Sequence, residues 1–252
     1  MKGVRLPSPT RNRSFMNIAV IPARGGSKRL PRKNVRRFAG RPLLWYSIAV
    51  ARSIPEIDRC IVSTDDPEIA SLAAECGAEV SSRRGELSGD LVPVGSVVQD
   101  VLERLDVSRP ADAVVLLQPC CPLRSVSLVR HALETFHRTR PDAVVSVSPS
   151  DLKAGVIEHG LFRPRYTAGS RSQDLPPAYA ENGAVYVAGA ERVRATGDIF
   201  GETIVPLITE PWVVLGDIDT EFDLALAEFL YERYASELTA GLVPTAPTVA
   251  AS

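Results

Sequence analysis

No stretch of this chain approaches the roughly 20 consecutive apolar residues that a membrane-spanning helix needs, so none is expected. Histidine is scarce, at three residues, and none of them sits in a recognisable catalytic or metal-binding motif. The four cysteines (Cys60, Cys76, Cys120 and Cys121) form no CxxC and no Cys/His cluster. Cys120 and Cys121 are adjacent, a poor geometry for a structural disulfide. Their expected role is that of small buried apolar residues in a reducing cytoplasm. Charge of one sign does not dominate either. Lys and Arg number 29 against 30 Asp and Glu, a net charge of −1, which gives no global field for nucleic acid or an anionic membrane. The first 15 residues lack the apolar core of a signal peptide. They are expected to be a disordered extension, with Met16 as a candidate functional start. Residues 237–252, small and Pro-rich, are expected to be a disordered tail.

The charge that is present is unevenly placed. Residues 24–41 carry eight Lys or Arg and no acid, a local anion site. Through residues 17–150 apolar strand-like runs alternate with helical ones. IAVIP at 18–22 reads as a buried strand, and 43–54 as a helix with one apolar face. Residues 60–63 read as a strand, and Asp66-Pro67-Glu68 as a capped helix start. A helix at 97–105, a strand at 113–117, a helix at 128–137 and a strand at 143–147 follow. This alternation predicts an α/β fold with a mostly parallel sheet covered on both faces. After Pro149 the pattern breaks. Residues 150–210 hold glycines, prolines and short β-rich pieces, read as an inserted β-rich arm, and a last amphipathic helix begins at Glu221. The α/β domain is therefore assigned to 16–149 and 211–236.

Directly after the first strand stands ARGGSKRLPRKN, residues 23–34. Open α/β sheets bind ligands at the carboxyl ends of their strands. Gly25 and Gly26 permit a tight turn that aims amides, with that of Ser27, at phosphate oxygens. Arg24, Lys28 and Lys33 can neutralise a triphosphate, which carries roughly four negative charges. The loop matches neither GxGxxG nor GxxxxGK[ST], which disfavours dinucleotide and ATPase loops.

IPARGGSKRLPRKN resembles the signature of the acylneuraminate cytidylyltransferases, the CMP-sialic acid synthetases and their bacterial relatives for legionaminic and pseudaminic acids. FAGRPLLWYSI, IVSTDDPEIA, GAEV…RRGEL, LLQPCCPLR, RSQDLPPAYAENGAVYV and GDIDTEFDLALAE agree in the family's order, and the likeness covers residues 17–234. It implies a doubly wound, Rossmann-like nucleotidyltransferase fold. It also implies a reaction in which the anomeric hydroxyl of a 2-keto sugar acid attacks the α-phosphorus of CTP and pyrophosphate leaves. Arg24, Lys28 and Lys33 would stabilise the departing pyrophosphate.

Asp217 and Asp219 alternate along an extended chain, so both carboxylates can meet one cation, and hard oxygen ligands suit Mg²⁺. Family members hold the catalytic metal on the matching aspartates. The alternative reading is that one aspartate caps the following helix. The resemblance also assigns Asn34, Arg83 and the backbone around Val92 to the cytidine end of CTP, and Gln118 to the acceptor. Lys153, Arg171, Gln173, Asn182, Gly183, Tyr186 and Phe200 would bind the acidic sugar, a guanidinium for its carboxylate and amides for its hydroxyls. Asn182-Gly183 reads equally as a turn signal.

Several positions depart from the family. Val94 stands where relatives often place Ser or Thr, and Cys120 and Cys121 where they carry small hydroxyl residues. The segment 148–153 is shortened, and Ile199-Phe200 replaces two aromatics, which leaves room for an acceptor other than N-acetylneuraminate. Arg32-Lys33-Asn34, where Kdo enzymes show glycine-lysine-proline, disfavours a Kdo acceptor. A phosphonate acceptor and a catalytically silent nucleotide-binding protein of the same fold are the other readings. Residues 150–210 are also expected to pair two subunits, with Val185, Val187, Ile199, Phe200, Ile204 and Ile208 as contact candidates, because the arm cannot bury a core alone.

Overall fold

A computed structural model describes residues 16–105 and 111–243. The expected extension 1–15 and the end of the expected tail, 244–252, lie outside the described residues. β1 (Asn17–Pro22) is apolar on both faces. Ala19 and Ile21 enter one core cluster, and Ile18 and Val20 the opposite one, as in a strand covered on both sides. Two short strands, β2 (Arg37–Phe38) and β3 (Arg41–Pro42), pair antiparallel and lead into α1 (Leu43–Arg52). β4 (Arg59–Thr64) precedes α2 (Pro67–Glu75), whose N-cap Asp66 accepts from the amides of Glu68 and Ile69 with proline in the first turn. That start was legible in the sequence. β5 (Glu79–Ser82), α3 (Val94–Arg104), β6 (Ala113–Leu116) and α4 (Val126–Thr139) follow. β5, β4, β1 and β6 lie side by side and parallel. Their carboxyl ends release the loops after Pro22, Thr64 and Leu116 on one side, where the basic loop stands.

The second half corrects the expected boundary. β7 (Ala143–Ser150) is followed by a hairpin, β8 (Gly155–Glu158) and β9 (Leu161–Pro164), then β10 (Ala178–Gly189), α5 (Ala190–Thr196) and β11 (Ile204–Ile208). One seven-stranded sheet takes the order β11-β7-β10-β6-β1-β4-β5. β10 is antiparallel to both neighbours, and β11 is parallel to β7. Residues 178–189 and 204–208 thus belong to the α/β body, and the arm narrows to residues 151–177. Alternation explains the difference. Val185 and Val187 enter one core cluster while Tyr186 and Ala188 enter the other, so β10 is covered on both faces. Val185, Val187 and Ile199 are buried in their own chain and are unavailable to a partner, whereas Ile204 and Ile208 remain exposed.

α6 (Glu221–Arg233) starts with a capping box, in which the Thr220 hydroxyl accepts from the Asp223 amide and the Asp223 carboxylate accepts from that of Thr220. This frees the Asp219 side chain from capping. α7 (Ala235–Leu238) continues into the expected tail. Leu238 is buried, and the Val243 amide donates to Ser53 Oγ at 2.8 Å. Residues 237–243 are therefore ordered, pinned by an apolar side chain that the tail's composition concealed. No helix among the described residues is long and apolar enough to cross a membrane.

Candidate active site

A cavity of about 510 Å³ opens over the carboxyl ends of β1, β5 and β6. Arg24, Ser27, Lys28, Lys33, Asn34, Arg83, Val92, Gln118 and Asp219 line it together. The basic loop that forms one wall is held from three sides. The Gly25 amide donates to Asp65 Oδ1 at 3.0 Å, and a Cβ at Gly25 would stand 2.6 Å from Asp66 Oδ2, so only glycine passes there. Asn34, buried, donates to the Arg24 carbonyl at 2.9 Å. Arg32, at φ 60, ties the far end of the loop to Asp66 and Glu68 at the start of α2. The Ser27 amide bonds the Gly25 carbonyl. Of the three amides at 25–27, that of Gly26 has no partner among the described residues, so the expected three-amide cradle is reduced to one free donor.

The cations of the loop are neutralised by acids from distant segments. Asp90 meets Arg24 Nη2 at 2.8 Å and Lys28 Nζ at 2.5 Å. Hydrogen bonding to Lys28 holds the Asp90 carboxyl below its ordinary range. Asp219 accepts from Lys33 at 2.9 Å and from Arg29 at 2.6 Å, and Lys33 also donates to the Ile218 carbonyl at 2.8 Å. Asp217, two residues earlier, is exposed and makes no ion pair among the described residues.

Arg83 is buried at the base of the cavity, where it donates to the Ser63 carbonyl at 2.7 Å and to Ser63 Oγ at 3.2 Å. Burial draws its pKa below the ordinary guanidinium value. Gln118 and Cys120 stand on a turn after β6 that Arg124 clamps from within. Arg124 is fully buried and donates to the carbonyls of Gln118 and Cys121. The Cys120 carbonyl accepts from the Ile218 amide at 2.8 Å, which fastens the 120–121 turn to the aspartate segment. Cys121 is buried, and its thiol pKa is pushed well up by its hydrogen bond with Cys120 and by burial.

The residues expected at the sugar do not all gather here. Lys153, Arg171 and Gln173 are exposed on the arm and do not line the cavity. Lys153 donates to the Ser170 carbonyl, and Arg171 pairs with Asp174. Asn182 is buried and fully engaged. It accepts from Ser146 Oγ at 2.6 Å and the Ala184 amide at 3.1 Å, and donates to Ser148 Oγ and Thr209 Oγ1 at 3.0 and 2.8 Å. Its amide therefore braces the sheet, where a bulge interrupts β10 and Gly183 takes φ 70. Tyr186 is buried with its hydroxyl on Glu181, and Phe200 meets it edge-on at 5.9 Å. Asp90 and Arg29 were missed in the sequence. The signal that could have found Asp90 was the lack of any acid among eight neighbouring cations, which demands counter-charge from elsewhere.

A cytidylyltransferase family model matches residues 18–181. The chain is 38% identical over 225 residues to a CMP-N,N'-diacetyllegionaminic acid synthase of Legionella pneumophila, covering 85% of this chain and 96% of the relative. It is 32% identical to a pseudaminic acid cytidylyltransferase of Campylobacter jejuni, covering 86% and 96%. A solved CMP-2-keto-3-deoxy-manno-octonic acid synthetase, complexed with CTP, superposes with a TM-score of 0.67 at 17% identity, covering 86% of this chain and 99% of that one. At that identity the likeness is one of fold.

Proposed function

The chain belongs to the cytidylyltransferase family, and from that membership we propose that it transfers CMP from CTP to a 2-keto nonulosonic acid. The anomeric hydroxyl oxygen attacks the α-phosphorus in line, the bond from that phosphorus to the β-phosphate oxygen breaks, and pyrophosphate departs. The hydroxyl proton passes to solvent. The observation that carries this reading is one cavity shared by three loop cations, a buried arginine–asparagine pair and Gln118.

Transfer of this kind leaves a protein little covalent work, so positioning and charge stabilisation dominate. Arg24, Lys28 and Lys33 face the triphosphate and stabilise the leaving pyrophosphate, exchanging Asp90 and Asp219 for phosphate oxygens. Arg83 and Asn34 are fixed by their backbone bonds before substrate arrives, which suits the cytidine end. Gln118 faces the acceptor. Asp217 and Asp219 fit a Mg²⁺ ion in donor chemistry, and Asp217 carries a carboxylate that pairs with no cation among the described residues. When bound there, Mg²⁺ supplies charge that polarises the α-phosphate and acidifies the attacking hydroxyl. Lys153, Arg171 and Gln173 lie outside this cavity, and we place them over the cavity of a second copy in a homodimer. The four free cysteines suit a reducing cytoplasm.

Pyrophosphate release tests the reading. Purified protein with Mg²⁺ is given CTP, UTP, ATP or GTP against a panel of 2-keto nonulosonic acids. CTP with at least one of them should turn over well above the other nucleotides. Comparable rates with UTP, or release independent of the sugar acid, overturn it.

A further inference from the structure

We propose that Cys120, Cys121 and Asp217 form a binding site for a soft divalent cation, of which Zn²⁺ is the natural occupant, beside the nucleotide cavity. The inference rests on the cytidylyltransferase reading only in that Asp217 is shared with the proposed Mg²⁺ pair. The three ligand atoms lie within 4.8 Å of one another. Cys120 Sγ and Cys121 Sγ are 3.7 Å apart, and Cys121 Sγ is 3.6 Å from Asp217 Oδ1. A tetrahedral Zn²⁺ with bonds of ~2.3 Å to sulfur and ~2.0–2.2 Å to oxygen places two sulfurs ~3.8 Å apart, and a sulfur and an oxygen ~3.6 Å apart. Both observed separations match before any ion is bound.

The surroundings hold the ligands in that geometry. Arg124 clamps the turn that carries both sulfurs, and the bond from the Ile218 amide to the Cys120 carbonyl joins it to the residue after Asp217. Gly183, at φ 70, leaves room for the buried sulfur, since a Cβ there would stand 2.5 Å from Cys121 Sγ. An ion has a route in, because Cys120 lines the cavity and Asp217 is exposed. Two sulfurs and one oxygen leave the fourth position open to water or a substrate oxygen, as in three-ligand zinc sites. Sulfur discriminates against Mg²⁺ and for Zn²⁺. A Zn²⁺ ion held here withdraws Asp217 from Mg²⁺, so trace Zn²⁺ should inhibit this chain competitively with Mg²⁺.

The test needs neither CTP nor turnover, so its failure leaves cytidylyl transfer standing, and failure of that reading leaves this site standing. Reduced, metal-free protein is titrated with Co²⁺, the spectroscopic stand-in for Zn²⁺. Wild-type protein and a Cys60→Ser control should show a thiolate-to-cobalt charge-transfer band saturating at one equivalent and abolished by added Zn²⁺. Cys120→Ser and Cys121→Ser should lose the band and weaken Zn²⁺ by more than the roughly 10–100-fold that loss of an outer-shell partner costs. In the wild type, Zn²⁺ should also shield Cys120 from alkylation, read by mass spectrometry, which keeps the test independent of how the buried variant folds. No band in the wild type, or a band that survives in a folded Cys120→Ser/Cys121→Ser protein, overturns the proposal.

Discussion

At Asp90 two cations converge on one exposed carboxylate, Arg24 at 2.8 Å and Lys28 at 2.5 Å. In the proposed reaction these cations take two phosphate oxygens, and CTP would have to displace the aspartate. Asp90→Asn removes the competing charge, and the KM for CTP should fall by roughly two- to fivefold, the scale of exposed pairs. A rise in KM would mean that Asp90 helps bind the nucleotide. The Lys28 hydrogen bond holds the Asp90 carboxyl low, so its contribution to loop order persists above the unfolded carboxylate pKa. That contribution is lost only as pH falls through the depressed value in acid. Neutral-pH activity profiles should therefore be unchanged by Asp90→Asn. Asp217 is the opposite case, an exposed acid with no cation paired to it among the described residues. Asp217→Asn should lower turnover by about 100-fold or more with Mg²⁺ present, while urea unfolding stays at the wild-type midpoint. Near-normal turnover removes Asp217 from the mechanism. The cations were legible because glycines and a strand end flag their loop. Asp90 was not, because a single acid 62–66 residues from its partners leaves no local pattern.

Elements whose signals are local were readable from the chain alone. The Asp66-Pro67 start of α2 is set by backbone amides one turn away; at α6 the start was legible, but its cap is Thr220 with Asp223 and not an aspartate of the 217/219 pair. β10 was not readable as part of the sheet. A parallel crossover advertises itself by the helix it requires, whereas an antiparallel insertion between β6 and β7 needs none. The Asn182-Gly183 dipeptide signalled a reversal, and the chain instead makes a bulge there. Asn182 therefore belongs to stability. Ser146 and Ser148 of the neighbouring β7, and Thr209 just past β11, all bond its side chain. Asn182→Ala strands buried polar groups and should cost about 1–3 kcal/mol per group left unpaired, lowering the urea midpoint of unfolding. An unchanged midpoint, with acceptor KM raised instead, would return Asn182 to the sugar site.

For the whole molecule, the cavity in one chain is lined by Gln118 but not by the arm residues Lys153, Arg171 and Gln173. The arm that carries them, residues 151–177, presents Leu152, Ile157, Leu161 and Phe162 to solvent, at 81%, 78%, 58% and 56% exposure. Two strands of four residues each cannot hide these side chains within the hairpin, and a two-stranded unit is marginal by itself. The homodimer proposed above would relieve both problems at once: a two-fold pair would bury each arm against the other subunit and set Arg171 and Gln173 over the partner's cavity. Phe162→Glu should then shift the sedimentation of the protein at micromolar concentration from dimer to monomer and take activity with it. A wild-type protein that sediments as a monomer ends the argument. If the dimer holds, sharing is read by exchange. Asp217→Asn disables the body's site and Arg171→Ala the arm, so each variant should be nearly inactive alone. In a mixed dimer one site pairs an intact body with an intact arm and the other pairs both defects. Random exchange of equal amounts makes half the dimers mixed, with one good site in two, so activity should recover to about a quarter of wild type. No recovery despite demonstrated exchange would mean that each arm serves its own chain. The hairpin would then have to fold back across the sheet to reach the cavity it does not line here.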